Sequence, residues 1–316
     1  MSFVAARWLP NRHLMTIYGS VARWPPRLPL YRERWELPDG DFLDVDRLDG
    51  DAGAPLVIVL HGLEGSSRAG YVLGVLAEAR ARGWPAAAIN FRGCSGEPNR
   101  LARFYHSGET GDLAFAVERL AAEQPERALV LAGFSLGGNV ITKYLGERRA
   151  PEAVRAAAVV SVPFDLARCA RALDGPGVAA WIYRERFLRR LRRKALDKAA
   201  RFPDAIDAAR ARAARTFAEF DHGVTAPLHG FAGAEDYWAR ASSGPLVGAI
   251  DRPLLILAAE DDPFVPAESL PLDAARANPR VTLEIFPDGG HVAFIAGPPW
   301  RPRRWAERRI LEFFAR

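Results

Sequence analysis

The residues best able to do chemistry sit in one short run, Gly133-Phe134-Ser135-Leu136-Gly137-Gly138. An apolar stretch, Leu129–Ala132, precedes it and a helical pattern follows, so Ser135 falls on a sharp strand-to-helix turn. Glycine two residues before and two after relieves the crowding of such a turn. The helix N-terminus behind it directs partial positive charge at the hydroxyl. The blander reading, a Gly-rich turn with an incidental serine, does not account for a strand on one side and a helix on the other. A serine hydroxyl becomes a useful nucleophile only beside a base that a third group orients. Sites of this construction take the acid and then the histidine from later in the chain. Of six histidines, His222, His229 and His291 follow Ser135. Only His291, in Pro287-Asp288-Gly289-Gly290-His291, comes after a late strand and a late acid. The acid lies in Glu260-Asp261-Asp262. Asp262, just ahead of Pro263-Phe264-Val265-Pro266, is the expected partner, and Asp261 is the alternative, being suited to cap the loop's own amides. An acyl-transfer site also needs two backbone N–H donors for the oxyanion. Leu136, directly after the serine, supplies one. Leu63, in His61-Gly62-Leu63-Glu64-Gly65, supplies the second, and His61 then shapes that loop and is not the base.

The elements that must position these residues alternate. Two strand-like runs between Arg34 and Leu48 flank the turn signal Pro38-Asp39-Gly40-Asp41. Strands are predicted at Leu56–Leu60, Ala86–Asn90, Leu129–Ala132, Ala156–Val162, Leu254–Ala258 and Val281–Phe286. Helices are predicted at Val72–Ala81, Leu113–Leu120, Leu136–Leu145 and Trp305–Phe314. Unbroken β-branched runs such as Leu56–Leu60 read as strands buried on both faces, and the alternation predicts a mostly parallel sheet with helices on both sides. From about Pro163 to Pro253 no strand signal occurs, so residues 163–252 are expected to form a helical cap. It would be inserted between the core segments 1–162 and 253–316.

Composition narrows the class. Hydrophobic residues make up 49% of 316, which allows a sizeable core, and 43 basic against 38 acidic residues leave a modest net charge of +5. Cys94 and Cys169 are far apart and form no C-x-x-C pair, so neither a disulfide framework nor a metal or other cofactor is expected. Residues 1–20 lack a continuous apolar core of a leader, and no window approaches a membrane span, so a cytoplasmic location is the expectation. The basic run Arg184–Lys194 carries seven cations and one acid, interleaved with Trp181, Phe187, Leu188 and Leu191. The sharper reading is a helix making peripheral contact with an anionic lipid surface. The preferred one is a solvated cap helix whose apolar face covers the core. Without a recognition motif the charge does not point to nucleic acid. Composition carries no information on oligomeric state.

The chain also resembles the YheT-like branch of the α/β-hydrolases. The resemblance rests on His13-Leu14-Met15-Thr16, His61 to Ser66, Asn90-Phe91-Arg92-Gly93-Cys94-Ser95-Gly96, Tyr105 to Thr110, Gly133 to Asn139, Ser242-Ser243, Ala259 to Phe264 and Gly289-Gly290-His291. It implies an α/β-hydrolase fold and a triad of Ser135, Asp262 and His291. Met15 stands where the family usually has Gln, which weakens a polar role for the N-terminal arm. The family's links are to medium-chain esters, acyl exchange and phospholipids, and the expected activity is hydrolysis of carboxylic esters, short- to medium-chain acyl esters or lipids, through an acyl-enzyme. Acyl transfer to an alcohol, or ligand binding without catalysis on the same fold, are the alternatives. Seven aromatics of the cap, Trp181, Phe187, Phe217, Phe220, Phe231, Tyr237 and Trp238, are enough to line an enclosed acyl site.

Overall fold

The computed structural model describes residues 2–21 and 27–316. Helix α1 (Arg12–Val21) precedes a hairpin of β1 (Tyr31–Glu36) and β2 (Phe42–Leu48), whose turn places Gly40 at φ +83°. Strands and helices then alternate: β3 (Leu56–Leu60), α2 (Gly70–Arg80), β4 (Ala86–Ile89), α3 (Gly111–Glu123), β5 (Leu129–Phe134), α4 (Leu136–Glu147) and β6 (Val154–Val160). The apolar run at β6 continues to Val162, but the strand stops at Val160 because Ser161 turns to φ +52°. Six helices follow without a strand: α5 (Leu166–Asp174), α6 (Val178–Arg201), α7 (Ala208–Ala213), α8 (Phe217–Phe220), α9 (Ala226–Leu228) and α10 (Ala234–Ala241). A π-helical turn, Asp221–Thr225, joins α8 to α9. The sheet resumes with β7 (Leu254–Ala259), then α11 (Leu272–Ala277), β8 (Val281–Phe286) and the closing helix α12 (Trp305–Phe314).

The eight strands form one sheet in the order β1-β2-β4-β3-β5-β6-β7-β8. β2 runs antiparallel to both neighbours, and every pairing from β4 to β8 is parallel. The central strands are apolar throughout because alternate side chains enter two separate cores. Ile58, Leu60, Leu129, Leu131 and Ile256 pack on one face with α3, α4 and the cap. Val57, Val59, Val130, Ala132 and Leu257 pack on the other with α2 and α12. Each such Val, Leu or Ile contributes about 1.5–3 kcal/mol by leaving water. The excursion between β6 and β7, which are neighbours in the sheet, is the inserted helical cap. The basic helix α6 follows the preferred reading along most of its length, with Leu188, Leu191 and Ala195 buried beneath exposed arginines. Trp181 departs from it, standing 57% exposed and packing on no core. Among the described residues no helix is long and apolar enough to cross a membrane.

One buried ion cluster ties the hairpin to the parallel part of the sheet. Arg92, in the loop after β4, binds Asp112 at the start of α3 through two hydrogen bonds of 2.6 and 2.8 Å. It also reaches Asp39 at 2.7 Å and Asp41 at 3.2 Å in the hairpin turn. Removing one partner of such a set strands the others without compensation, at a cost of about 3–5 kcal/mol. Arg92→Met is therefore expected to lower the denaturant midpoint by that equivalent. A midpoint equal to the wild type would show the cluster to be dispensable.

Candidate active site

Ser135 stands between β5 and α4 at φ +51°, ψ −120°, a conformation that side-chain-bearing residues rarely adopt. Its N–H donates to the Val160 carbonyl at 2.8 Å and its carbonyl accepts from the Asn139 N–H at 3.0 Å, so both neighbouring elements hold the strained turn. A Cβ at Gly137 would lie 2.5 Å from the His61 oxygen and 2.7 Å from the Leu60 oxygen. One at Gly133 would lie 2.7 Å from the Gly137 oxygen. Both motif glycines are thus demanded by contact and not by flexibility.

The loop after β3 has most of its amides spoken for. The Gly62 N–H donates to the Tyr71 hydroxyl at 2.9 Å, the Glu64 N–H to the Tyr105 hydroxyl at 2.8 Å and the Gly65 N–H to the Gly62 carbonyl at 3.0 Å. The Leu63 N–H, like that of Leu136, has no acceptor among the described residues. The Gly62 carbonyl is fixed by two donors, the Gly65 N–H and the His61 ring 2.7 Å away. In a trans peptide this points the following N–H, that of Leu63, the opposite way. His61 shapes the loop as expected: its Nε2 accepts from the Phe91 N–H at 3.2 Å, which leaves Nδ1 to carry the proton toward Gly62.

His291 and Asp262 are joined directly, Nδ1 lying 2.9 Å from Oδ2 and 3.1 Å from Oδ1. Asp262 is itself held by the Phe264 N–H at 2.8 Å and the Val265 N–H at 3.2 Å. The loop-capping role allowed to Asp261 is therefore filled by Asp262, while Asp261 accepts from the Gly290 N–H at 2.8 Å and supports the histidine loop. That loop takes positive φ at three alternate positions, Gly290, Val292 and Phe294, and is strained at the two that carry side chains. Its amides are captured from distant segments: His291 N–H by Thr16 at 2.9 Å and Val292 N–H by Ser161 at 3.0 Å. Met15 does not deprive the N-terminal arm of a polar role, because the neighbouring Thr16 supplies it. Sequence reasoning missed Thr16, Ser161, Tyr71 and Tyr105 as supports. Thr16 and Tyr105 fall in stretches shared with the resembling family, whereas nothing local marks Ser161 or Tyr71.

Ser135 and His291 line the same two cavities, although no hydrogen bond joins them among the described residues. The wider, of about 470 Å³, opens past Thr16, Ser20, Arg68, Arg186 and Arg190. The narrower, of about 90 Å³, is walled by Leu136, Leu166, Phe187, Phe217, Trp238 and Phe264. Of the cap aromatics expected there, Phe187, Phe217, Tyr237 and Trp238 line it. Trp181 lies outside, Phe220 is in the cap's core and Phe231 packs on His106. Asp221 also borders the narrow cavity, its carboxyl pushed up to about 6 by burial despite bonds from Trp238 and Thr225. His229 packs against His106 with the ring centres 4.6 Å apart and the planes tilted by 57°, and burial holds both neutral.

The buried His61 gives the site its own pH limit. Burial pushes it down to about 4, with the Lys194 charge acting in the same direction. A histidine depressed in the folded state stabilises fully above the ordinary histidine range and loses that contribution as pH falls through the folded value. His106, pushed down to about 4, adds in the same sense. The denaturation midpoint is expected to fall between about pH 6.5 and 4, and to fall less steeply in His61→Gln. Parallel pH curves for the two proteins would refute this assignment.

Comparison with known proteins shows the family of this fold. A sequence profile of the alpha/beta hydrolase fold matches residues 55–298. A protein of Escherichia coli (strain K12) named YheT, provisionally called an esterase, is 37% identical over 98% of this chain and 92% of its own length. The monoacylglycerol lipase of Saccharomyces cerevisiae is 32% identical over 85% of this chain and 61% of its own length. Among solved structures, the Pyrococcus furiosus esterase Pf2001 superposes with a TM-score of 0.60 at 18% identity, covering 91% of both chains.

Proposed function

The chain belongs to the α/β-hydrolase family and to its YheT-like branch, and from that premise we propose that it is a serine esterase cleaving short- to medium-chain acyl esters. What supports this most is the Asp262–His291 hydrogen bond at 2.9 Å, with His291 and Ser135 lining the same cavity. Ser135 attacks the ester carbonyl while His291 takes the hydroxyl proton through Nε2, and Asp262 fixes the tautomer by accepting from Nδ1. The Leu63 and Leu136 amides receive the oxyanion, each worth about 10²–10³-fold in rate. Collapse breaks the bond to the alcohol, which departs with the proton from His291. Water then repeats the sequence on the acyl-enzyme. The Ser135–His291 bond forms when substrate enters, as apo sites commonly require.

The cap, residues 163–252, closes over the core segments 1–162 and 253–316 and supplies the wall of the narrow cavity. Acyl chains enter there and alcohols leave through the wider opening. Exposed Trp181 and Ile182, with Arg186 and Arg189 on the same helix, form the edge by which the enzyme meets an anionic lipid surface.

A fluorophosphonate probe is expected to label Ser135, and Ser135→Ala to abolish both labelling and ester hydrolysis in a folded protein. Asp262→Asn is expected to lose about 10³–10⁴-fold in kcat, and Asp261→Asn much less. The reverse order would move the acid to Asp261. Each methylene buried in the narrow cavity adds up to about 0.8 kcal/mol of binding. With p-nitrophenyl esters, kcat/KM should rise from acetate to butyrate–octanoate and drop for palmitate. A maximum at acetate would show that the aromatics only pack the cap.

A further inference from the structure

Glu64 follows the oxyanion donor Leu63 and sits at φ +52°, a strained conformation for a glutamate. Every polar group it owns is held. Its N–H donates to the Tyr105 hydroxyl at 2.8 Å, and that hydroxyl donates back to its carboxylate at 2.8 Å. Its carbonyl accepts from Arg190 at 3.1 Å, and its carboxylate meets the Lys194 ammonium at 2.5 Å. Arg190 and Lys194 lie one turn apart on α6, the long helix of the cap. The pair is nearly dry, the Glu64 side chain 8% and the Lys194 side chain 13% exposed.

A dry ion pair of this kind is a weak source of net stability, because desolvation of both charges offsets their attraction. Its geometry has another consequence. Strain at residue 64 persists only where surroundings over-determine it, and here two of the three restraining residues belong to the cap. Leu63 and Glu64 share a peptide group, so clamping Glu64 at its amide, carbonyl and carboxylate limits the ψ of Leu63 and backs the hold that Gly65 and His61 keep on the Gly62 carbonyl, from which the Leu63 N–H takes its direction. We propose that Glu64, held by Lys194 and Arg190, is a positioning residue that keeps the Leu63 N–H aimed at the oxyanion, so that the oxyanion hole is complete only while α6 is seated. The proposal rests on the serine-esterase reading above and adds to it a mechanical link between cap and chemistry.

The test separates positioning from packing. Lys194→Met is expected to lower kcat by about 10–100-fold, within the range of a displaced oxyanion donor, with KM little changed. The rate at which a fluorophosphonate labels Ser135 falls in parallel. Because this variant leaves a carboxylate buried and unpaired, it also loses stability. The double variant Glu64→Leu/Lys194→Met removes that unpaired charge, and its denaturation midpoint returns toward the wild type. Its kcat stays low, because the carboxylate–ammonium link between this loop and α6 is gone and only the Arg190 bond to the residue-64 carbonyl still ties them. Glu64→Gln keeps an acceptor for both Lys194 and Tyr105 and retains near-wild-type kcat. Recovery of kcat together with stability in the double variant would overturn the proposal and leave the pair a packing element. An undiminished labelling rate in Lys194→Met would overturn it as well. A wild-type protein that the probe does not label at Ser135 would instead remove the esterase reading itself.

Discussion

The first turn of α4 lies so close to the end of β3 that residue 137 can carry no side chain, a Cβ there falling 2.5 Å from the His61 oxygen. Nearly everything else at the site follows from that contact. It forces β5 to turn sharply into α4, which is why Ser135 is strained and why its N–H must borrow the Val160 carbonyl of the next strand. It also brings the start of α4 beside the loop after β3, so that the Leu63 and Leu136 amides come from two segments already locked together. Asn139, on the same turn of α4, extends the lock outward. Its amide donates at 2.8 Å to both the Ser107 and Ala241 carbonyls, and its side-chain oxygen accepts from Ser243 at 3.1 Å. A single close helix–strand approach thus fixes the Ser135 turn, the loop after β3 and the base of the cap.

Much of this was legible in the sequence because it is governed by short-range rules. Leu56–Leu60 and Val281–Phe286 have the strand bounds that their apolar runs mark, and Trp305–Phe314 the helix bounds. Gly133, Ser135 and Gly137 carry their geometry in their spacing. The misjudged end of β6 has a local cause that composition hides: Val162 looks like strand, yet Ser161 turns away because its hydroxyl is needed by the histidine loop. Asp261 and Asp262 are adjacent and chemically identical, so only their partners tell them apart. Asp262 meets the histidine ring, and Asp261 meets the amide before it.

The remainder was illegible because it depends on contacts across the whole chain. Thr16 earned no separate notice beside Met15, since its hydroxyl matters only through a residue 275 positions away. Trp181 reads as one more apolar residue of an amphipathic helix, and its exposure becomes apparent only once Leu188 and Leu191 have claimed the buried face. Arg92 is one of many arginines until Asp39, Asp41 and Asp112 converge on it.

The histidine loop draws its hydrogen-bond acceptors from α1, from the end of β6 and from the turn after β7, and it spends them on a backbone that would not hold its shape alone. Contacts between segments so far apart in sequence are the last that a folding chain can close, and peripheral helices are among the first to open on mild perturbation. The placing of His291 therefore lags the assembly of the sheet and is lost ahead of its collapse. On the proposed reading, gentle warming or dilute denaturant would part His291 from Ser135 while the tryptophans still report a native interior, and a chain emerging from the ribosome would complete its serine turn well before His291 is held in place.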